Sequence, residues 1–316
     1  MEPGTGNGVI LKPAALRSGD RIAIVSPASP FARDQFDMGV AEIRRLGFEP
    51  VWDESVFDRD AYVSGSPATR AAAFLKAWFD RSVAALVAVR GGFGSVHTLP
   101  LLSAEDLRQS PKAFIGYSDN TSILTWLTCG CGIAAFHGPM IEKRLALGAE
   151  GYDRASFMKA LTVADPVGEL APDGLRALQA GEASGPLFGG TMTQLLASFG
   201  TTYAFDPPAG AVLFLEDVNE RPYRLDRMLT QLRLSGVLGR ASAIVFGEMR
   251  GCDEPGGQPC AREVIAKVLS GFSGPVVYGF PSGHTTGPCW TLPLGVRARV
   301  VADGAPRLVI EESAVR

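Results

Sequence analysis

Ser118 lies at a position where a side chain could act as a nucleophile. The apolar run at residues 113–115 predicts a buried strand, and the periodic apolar segment that begins at Asp119 predicts a helix. A sharp strand-to-helix turn places its residue at the carboxyl edge of a sheet, where open α/β sheets bind ligands. Ser118 is therefore the candidate nucleophile. The alternative is that Ser118 or Asp119 only caps the helix, since both residue types are common N-caps.

A serine nucleophile needs a base, and the chain contains three histidines. His97 follows a glycine-rich loop, His137 follows a predicted strand, and His284 lies in a loop dense in turn residues. Catalytic side chains are often carried by loops on a rigid scaffold. Spacing alone makes His137 and His284 equal candidates for the base and His97 a weaker one.

Glu216 is the candidate acid because it ends the apolar run at residues 212–215. A buried carboxylate is costly unless it is paired. A histidine N–H would supply that pairing and would fix the tautomer of the imidazole. The alternative is a carboxylate that lies in solvent or pairs with Arg221, Arg224 or Arg227.

The glycine-rich loop Arg90-Gly91-Gly92-Phe-Gly94 follows a strongly apolar run and is expected at the same sheet edge as Ser118. Glycine allows a backbone N–H group to approach a ligand closely. We interpret Gly91 and Gly92 as one wall of the site, with a plain tight turn as the alternative. The spacing of the glycines does not fit a dinucleotide-binding fingerprint.

The elements that would position these residues alternate between strands and helices in the first half of the chain. This alternation predicts a parallel sheet with helices on both sides. The second half is richer in strands and is predicted to be a mixed α/β domain. The predicted strands are 21–25, 48–52, 83–89, 113–115, 212–215, 242–246, 276–278, 295–301 and 308–310. The predicted helices, besides the one after Ser118, are 36–46, 71–79, 96–102, 153–161, 193–198, 223–234 and 261–269.

Composition and length are those of a globular protein of more than one domain. The chain has 316 residues, of which 46% are hydrophobic and 20% charged. We expect an N-terminal domain at 1–160 that bears the nucleophile, a connecting segment at 161–185, and a C-terminal domain at 186–316 that carries the acid and the base.

The net charge and the cysteines limit the classes of function and the cellular location that we expect. A net charge of −3 gives no reason to expect nucleic acid or an anionic membrane as a partner. The polar N-terminus shows no secretory signal, and the five cysteines do not have the spacing of a zinc site. We expect a cytoplasmic protein with reduced thiols and no cofactor or metal.

Four motifs in this order resemble the LD-carboxypeptidases, the serine peptidases of the murein tetrapeptide carboxypeptidase and microcin C immunity type. The resemblance covers nearly the whole chain, from about residue 19 to 310. The motifs are Arg90-Gly-Gly-Phe-Gly94, Phe114-Ile-Gly-Tyr-Ser-Asp119, Leu215-Glu-Asp-Val-Asn-Glu-Arg-Pro-Tyr-Arg-Leu-Asp-Arg227 and Gly279-Phe-Pro-Ser-Gly-His284.

The resemblance implies a triad in which Ser118 is the nucleophile, His284 the base and Glu216 the residue that orients it. It also implies an oxyanion hole formed by the backbone N–H groups of Gly92 and Asp119. His137 would then have a structural role.

The implied fold is a flavodoxin-like N-terminal domain and a smaller C-terminal α/β domain, with the active site at their interface. Members are typically cytoplasmic homodimers. The implied reaction is hydrolysis of the L,D-amide bond to the terminal D-alanine of murein tetrapeptide, in cell-wall recycling. The alternative within the family is amide hydrolysis of a peptidyl-nucleotide of the microcin C type.

Two details of the site stay open. A substrate that ends in a carboxylate requires a cation or an N–H nest, for which Arg90, Arg221 and Arg224 are candidates. Relatives usually carry Asn after the Gly-Gly pair at 189–190, and this chain carries Thr191. Any hydrogen bond from that position is therefore an open question.

Two other classes of function compete with a serine hydrolase. Two α/β domains around a cleft also describe non-catalytic binding proteins of the periplasm, but these require export. A cysteine-dependent amidotransferase would need a cysteine at a strand-to-helix elbow, and no cysteine stands at one.

Overall fold

A computed structural model describes residues 9–316. Most of the polar N-terminal segment, interpreted above as lacking a secretory signal, lies outside these residues. Within them, no helix combines the length and the apolar character needed to cross a membrane.

The described residues form fourteen strands and nine α-helices. The strands are β1 (Arg21–Val25), β2 (Glu49–Trp52), β3 (Val83–Ala88), β4 (Ala113–Gly116), β5 (Ala135–His137), β6 (Gly168–Leu170), β7 (Arg176–Gln179), β8 (Glu182–Thr191), β9 (Val212–Glu216), β10 (Ala243–Gly247), β11 (Val276–Phe280), β12 (Leu292–Leu294), β13 (Arg297–Val301) and β14 (Arg307–Ile310). The helices are α1 (Arg33–Arg45), α2 (Pro67–Phe79), α3 (Ala104–Arg108), α4 (Thr121–Thr125), α5 (Arg154–Thr162), α6 (Met192–Ala197), α7 (Pro222–Leu234), α8 (Val237–Arg240) and α9 (Ala261–Val268).

The first sheet has the strand order β12-β5-β4-β3-β1-β2. Strands β1 to β5 are parallel, and their order 2-1-3-4-5 is that of a flavodoxin-like sheet. This confirms the predicted fold class. The sixth strand, β12, comes from the C-terminal part of the chain and pairs antiparallel with β5. The predicted parallel sheet thus carries one antiparallel strand at its edge.

The second sheet has eight strands in the order β6-β14-β13-β8-β9-β10-β11-β7. Its centre, β8 to β11, is parallel, and the remaining pairs are antiparallel. This mixed sheet agrees with the predicted C-terminal α/β fold. The segment 161–185, expected as a connection, supplies β6 and β7 to it. The domain boundaries themselves stay a prediction.

The two sheets share apolar packing. Val87 and Phe136 from the first sheet belong to the same buried cluster as Val212 and Phe214 from β9. Strand β3 is buried on both faces, as its continuous apolar sequence predicts. Because both sheets contribute to one core, side chains at their facing edges are held in a defined relation.

Candidate active site

Ser118 occupies a strained turn between β4 and α4. The backbone of Ser118 has φ +62°, a left-handed conformation that is costly for a serine. A single 3₁₀ turn, Ser118–Asn120, leads into α4, and its N-cap is Tyr117 rather than Ser118. The Ser118 hydroxyl group is hydrogen-bonded to His284 Nε2 and not to a backbone N–H group of the helix. The capping alternative does not describe this serine.

Glycine at position 91 allows the loop after β3 to reach this turn. A Cβ atom placed on Gly91 would lie 2.6 Å from the Cβ and 2.8 Å from the Oγ of Ser118. Gly92, with φ +104°, also has a conformation that favours glycine. The Gly91-Gly92 pair thus forms a wall beside the serine.

His284 is the histidine that the fold brings to this hydroxyl group. The Nε2 atom of His284 lies 3.1 Å from Ser118 Oγ, and its Nδ1 atom lies 2.8 Å from Glu216 Oε2. The backbone N–H of His284 donates to the same carboxylate oxygen at 3.1 Å. With Nδ1–H donating to the carboxylate, Nε2 is free to accept the proton of the serine.

Glu216 is a buried and charged partner. Its side chain is 2% exposed and ends strand β9. Burial raises the pKa of this carboxyl group, but the charge and hydrogen bond of His284 outweigh it and lower the pKa to about 2. The carboxylate is therefore neither solvated nor paired with the arginines of α7.

Thr191, which stands where relatives usually carry Asn, does form a hydrogen bond from its side chain. The Thr191 hydroxyl group donates a hydrogen bond to Glu216 Oε1. The backbone N–H of Thr191 donates to Thr121 Oγ1 at 3.2 Å, in the helix that follows Ser118. A threonine here thus supports the carboxylate and joins it to the serine turn.

The other two histidines do not reach the serine hydroxyl. His137 is fully buried behind Glu216, with Nδ1 2.9 Å from Ser282 Oγ and Nε2 4.0 Å from Glu216 Oε1. Burial lowers the pKa of His137 to about 4, so its imidazole is neutral near pH 7. His97 instead lies beside Arg70, 3.4 Å from its Nη2.

Arg144 was not identified from the sequence, yet it holds the loop that carries His284. Its guanidinium donates to the carbonyl groups of Gly283 at 2.8 Å, Thr285 at 3.0 Å and Gly287 at 3.1 Å. A lone arginine in a loop has no sequence pattern that could have revealed this role.

The imidazole itself has an aromatic neighbour. The Tyr117 ring packs edge-on against the ring of His284, with 5.1 Å between the ring centroids.

The two residues predicted to form the oxyanion hole, Gly92 and Asp119, are both close to Ser118 in the fold or in the chain. Asp119 lies in the first turn of the helix, where backbone N–H groups lack intrahelical acceptors. Its buried side chain accepts a hydrogen bond from Ser95 N at 2.8 Å, which fixes this turn. Gly92 lines the same cavity as Ser118.

A cavity of about 420 Å³ opens in front of the pair Ser118 and His284. Arg90 lines it, but Arg90 Nε is 3.3 Å from Glu142 Oε2 and Nη1 donates to Pro30 O. The residues that line the cavity are Arg90, Gly91, Gly92, Tyr117, Ser118, Met140, Glu142, Lys143, Arg144, Leu147, Arg250, His284, Thr285 and Thr286.

The other two predicted arginines lie elsewhere. Arg221 pairs with Glu254 at 2.9 Å and Arg224 pairs with Glu220 at 3.3 Å, both at the start of α7. Although both belong to the described part of the chain, neither lines the cavity. Across residues 9–316, no group of three or more His, Cys, Asp or Glu side chains could hold a metal ion.

Comparisons with known proteins agree with this architecture. Residues 22–138 match the LD-carboxypeptidase N-terminal domain, and residues 184–300 match the LD-carboxypeptidase C-terminal domain. A Streptomyces coelicolor protein described as a carboxypeptidase is 35% identical over 301 residues, which cover 93% of this chain and 94% of that protein.

Two further proteins share the sequence or the fold over most of the chain. The murein tetrapeptide carboxypeptidase of Pseudomonas aeruginosa is 29% identical, over 84% of this chain and 88% of that protein. The structure of MccF, a microcin C7 self-immunity protein, in complex with glutamyl sulfamoyl guanosine superposes with a TM-score of 0.89 at 26% identity and covers 97% of this chain and all of that one. This chain therefore belongs to the LD-carboxypeptidase family of serine-type peptidases.

Proposed function

We propose that this protein is an LD-carboxypeptidase that hydrolyses the amide bond to the terminal D-alanine of murein tetrapeptide. The observation that carries the proposal is the hydrogen-bonded series Ser118–His284–Glu216, of which Ser118 and His284 line a cavity that four cations also line. Such a series is what acyl transfer from an amide to a serine requires.

In this mechanism His284 Nε2 accepts the Ser118 proton while Oγ attacks the amide carbonyl carbon. The imidazolium then donates that proton to the leaving amine as the C–N bond breaks, which leaves an acyl-enzyme. A water molecule, deprotonated by the same imidazole, hydrolyses the ester. The charged Glu216 keeps the imidazole oriented and stabilises its protonated form.

The backbone N–H groups of Gly92 and Asp119 would bind the oxyanion of the tetrahedral intermediate. Gly92 lines the same cavity as Ser118, and Asp119 follows Ser118 directly in the 3₁₀ turn that precedes α4. One such donor is worth roughly 3 kcal/mol of transition-state stabilisation.

A murein peptide is supported by the named function of the Pseudomonas aeruginosa relative and by the charge of the cavity. The chain has a net charge of −3, but the residues that line the cavity include four cations and one carboxylate. A peptide with several carboxylates is attracted by such a cavity.

The second candidate is hydrolysis of a peptidyl-nucleotide of the microcin C type. It is favoured by the TM-score of 0.89 with MccF bound to glutamyl sulfamoyl guanosine. This reaction would use the same three side chains, so the substrate distinguishes the two candidates.

The decisive assay is incubation with L-Ala-γ-D-Glu-meso-diaminopimelyl-D-Ala and detection of free D-alanine, in parallel with glutamyl sulfamoyl guanosine. We expect D-alanine release by the unaltered protein and none by Ser118→Ala. Cleavage of the sulfamoyl compound alone would favour the second candidate. Equal D-alanine release by Ser118→Ala would contradict the mechanism.

The homodimer typical of the family also stays a prediction for this chain. Light scattering coupled to size-exclusion chromatography tests it, with a mass of twice 33.4 kDa as the expected result.

A further inference from the structure

Four cations line the cavity, and two of them are already engaged. Arg90 pairs with Glu142, and the Arg144 guanidinium donates to three carbonyl groups of the His284 loop. Lys143 and Arg250 are exposed, and neither side chain has a hydrogen-bonding or ionic partner among residues 9–316. These two cations are therefore available to a ligand.

Arg250 belongs to the side of the cavity that carries the imidazole. The loop after β10 is joined to the loop of His284, because Glu248 Oε2 accepts a hydrogen bond from Thr286 N at 2.7 Å. Lys143 comes from the loop after β5, whose backbone binds Gln35 of α1. The two free cations thus come from loops of different sheets, Lys143 after β5 of the first and Arg250 after β10 of the second.

The backbone at Arg250 is held firmly. Met249, directly before it, has φ +50° and is 3% exposed, with its side chain in the second apolar core. The Arg250 carbonyl group accepts a hydrogen bond from Asn219 N at 2.9 Å. A long side chain on a fixed backbone loses less freedom on binding than one on a mobile loop.

The position of the leaving amino acid determines which cation can bind its carboxylate. His284 must donate a proton to the nitrogen of the leaving residue, so that nitrogen lies beside Nε2. The α-carboxylate of a terminal amino acid is two bonds from its nitrogen and therefore lies on the same side of the cavity. A guanidinium can bind a carboxylate through two parallel hydrogen bonds.

From these relations we infer that Arg250 binds the terminal carboxylate of the leaving amino acid and so restricts the enzyme to the free end of a peptide. The inference rests on the proposed function, since it takes the leaving residue to be the C-terminal one. Arg250 thus takes the place of Arg221 and Arg224 as the candidate that binds the substrate carboxylate.

The test compares two substrates, the murein tetrapeptide and the same peptide with a terminal D-alaninamide. The unaltered protein should have the higher kcat/KM for the free acid. Arg250→Met should lower kcat/KM for the acid by about 10- to 100-fold and should leave kcat/KM for the amide nearly unchanged. The preference for the acid would then largely vanish. Arg233→Met, an exposed arginine on α7, is the matched control and should keep it.

Lys143→Met is the comparison within the cavity. It should retain the ratio of kcat/KM values for acid and amide even if both values fall. The inference is overturned if Arg250→Met keeps that ratio within threefold of the unaltered protein, or if Lys143→Met is the variant that abolishes it.

A binding measurement separates this inference from the proposed function. Calorimetry with Ser118→Ala and with Ser118→Ala/Arg250→Met compares the affinities for acid and amide without turnover. A selective loss of affinity for the acid supports the carboxylate site even if the unaltered protein releases no D-alanine. Equal affinities of the two proteins for the acid contradict it.

Discussion

The Nε2 atom of His284 lies 3.1 Å from the Oγ atom of Ser118, although 166 positions separate the two residues in the chain. Ser118 stands after β4 of the first sheet, and His284 stands in the loop after β11 of the second. The pair can therefore form only when both sheets have folded and packed against each other. Interactions that hold the two sheets together also hold the reactive pair.

Replacement of Thr191 by valine removes the hydroxyl group that donates to Glu216 Oε1 and keeps the shape of the side chain. The carboxylate would then be held by His284 alone. We expect kcat to fall about 10-fold, since a hydrogen bond to a buried charge is worth roughly 1.5 kcal/mol or more. Steady-state kinetics of D-alanine release measure the effect.

The matched variant for this prediction is Thr191→Ser, which retains a hydroxyl group. It should recover most of the lost kcat. If Thr191→Val and Thr191→Ser have the same kcat, then the hydroxyl group does not support the carboxylate.

Gly283 leaves no room for a side chain next to Glu216. A Cβ atom at this position would lie 2.8 Å from Glu216 Cδ and 2.9 Å from His137 Cε1, and the backbone has φ +82°. We expect Gly283→Ala to displace the carboxylate, to lower the free energy of unfolding by about 2 kcal/mol or more, and to abolish most activity.

Gly287 in the same loop is the control, because a Cβ atom there would have no neighbour within 4 Å. Gly287→Ala should change the free energy of unfolding by less than about 0.5 kcal/mol. Urea denaturation of both variants measures the difference. Similar destabilisation by the two substitutions would argue against the close packing around Glu216.

The strands and helices around the site were predictable where the sequence pattern of the element itself identifies it. The apolar run before Ser118, the amphipathic pattern of α7 and the apolar strand that ends at Glu216 all mark their own boundaries. The partners of Ser118 came from the resemblance to a family, because spacing alone did not separate His137 from His284. Burial of His137 inside the fold is what distinguishes them.

Features that depend on distant pairing were not predictable. Strand β12 has only three residues, and its place in the first sheet follows from pairing with β5. Arg221 and Arg224 are near Glu216 in sequence, yet the direction of α7 places them beside Glu254 and Glu220. The contacts of Arg144 likewise arise from a loop that approaches it only in the folded chain.

Asp217 gives the fold a defined dependence on pH. Burial, together with the charge of neighbouring Glu216, raises the pKa of Asp217 from 3.8 to about 7. Between these two values the folded protein holds a proton that the unfolded chain has lost, so stability falls as pH rises through this window. Asp217→Asn, which cannot ionise, should therefore gain stability relative to the unaltered protein as pH increases.

The expected gain between pH 4 and pH 8 is up to about 4 kcal/mol, because the pKa of Asp217 is about 7 in the folded protein and 3.8 in the unfolded chain. Urea denaturation of both proteins at the two pH values measures it. The hydrogen bonds that Asp217 accepts from Thr193 N and Val218 N favour the charged carboxylate, and the pKa of about 7 already includes their effect. A difference in stability between the two proteins that is the same at pH 4 and pH 8 would contradict a raised pKa.

The central claim is that His284 activates Ser118, and covalent labelling with a fluorophosphonate tests it without knowledge of the substrate. Intact-protein and peptide mass spectrometry should show one adduct, on Ser118, which is absent from Ser118→Ala and forms at least about 100-fold more slowly in His284→Ala. Labelling of a different residue, or equal labelling rates with and without His284, would contradict the account.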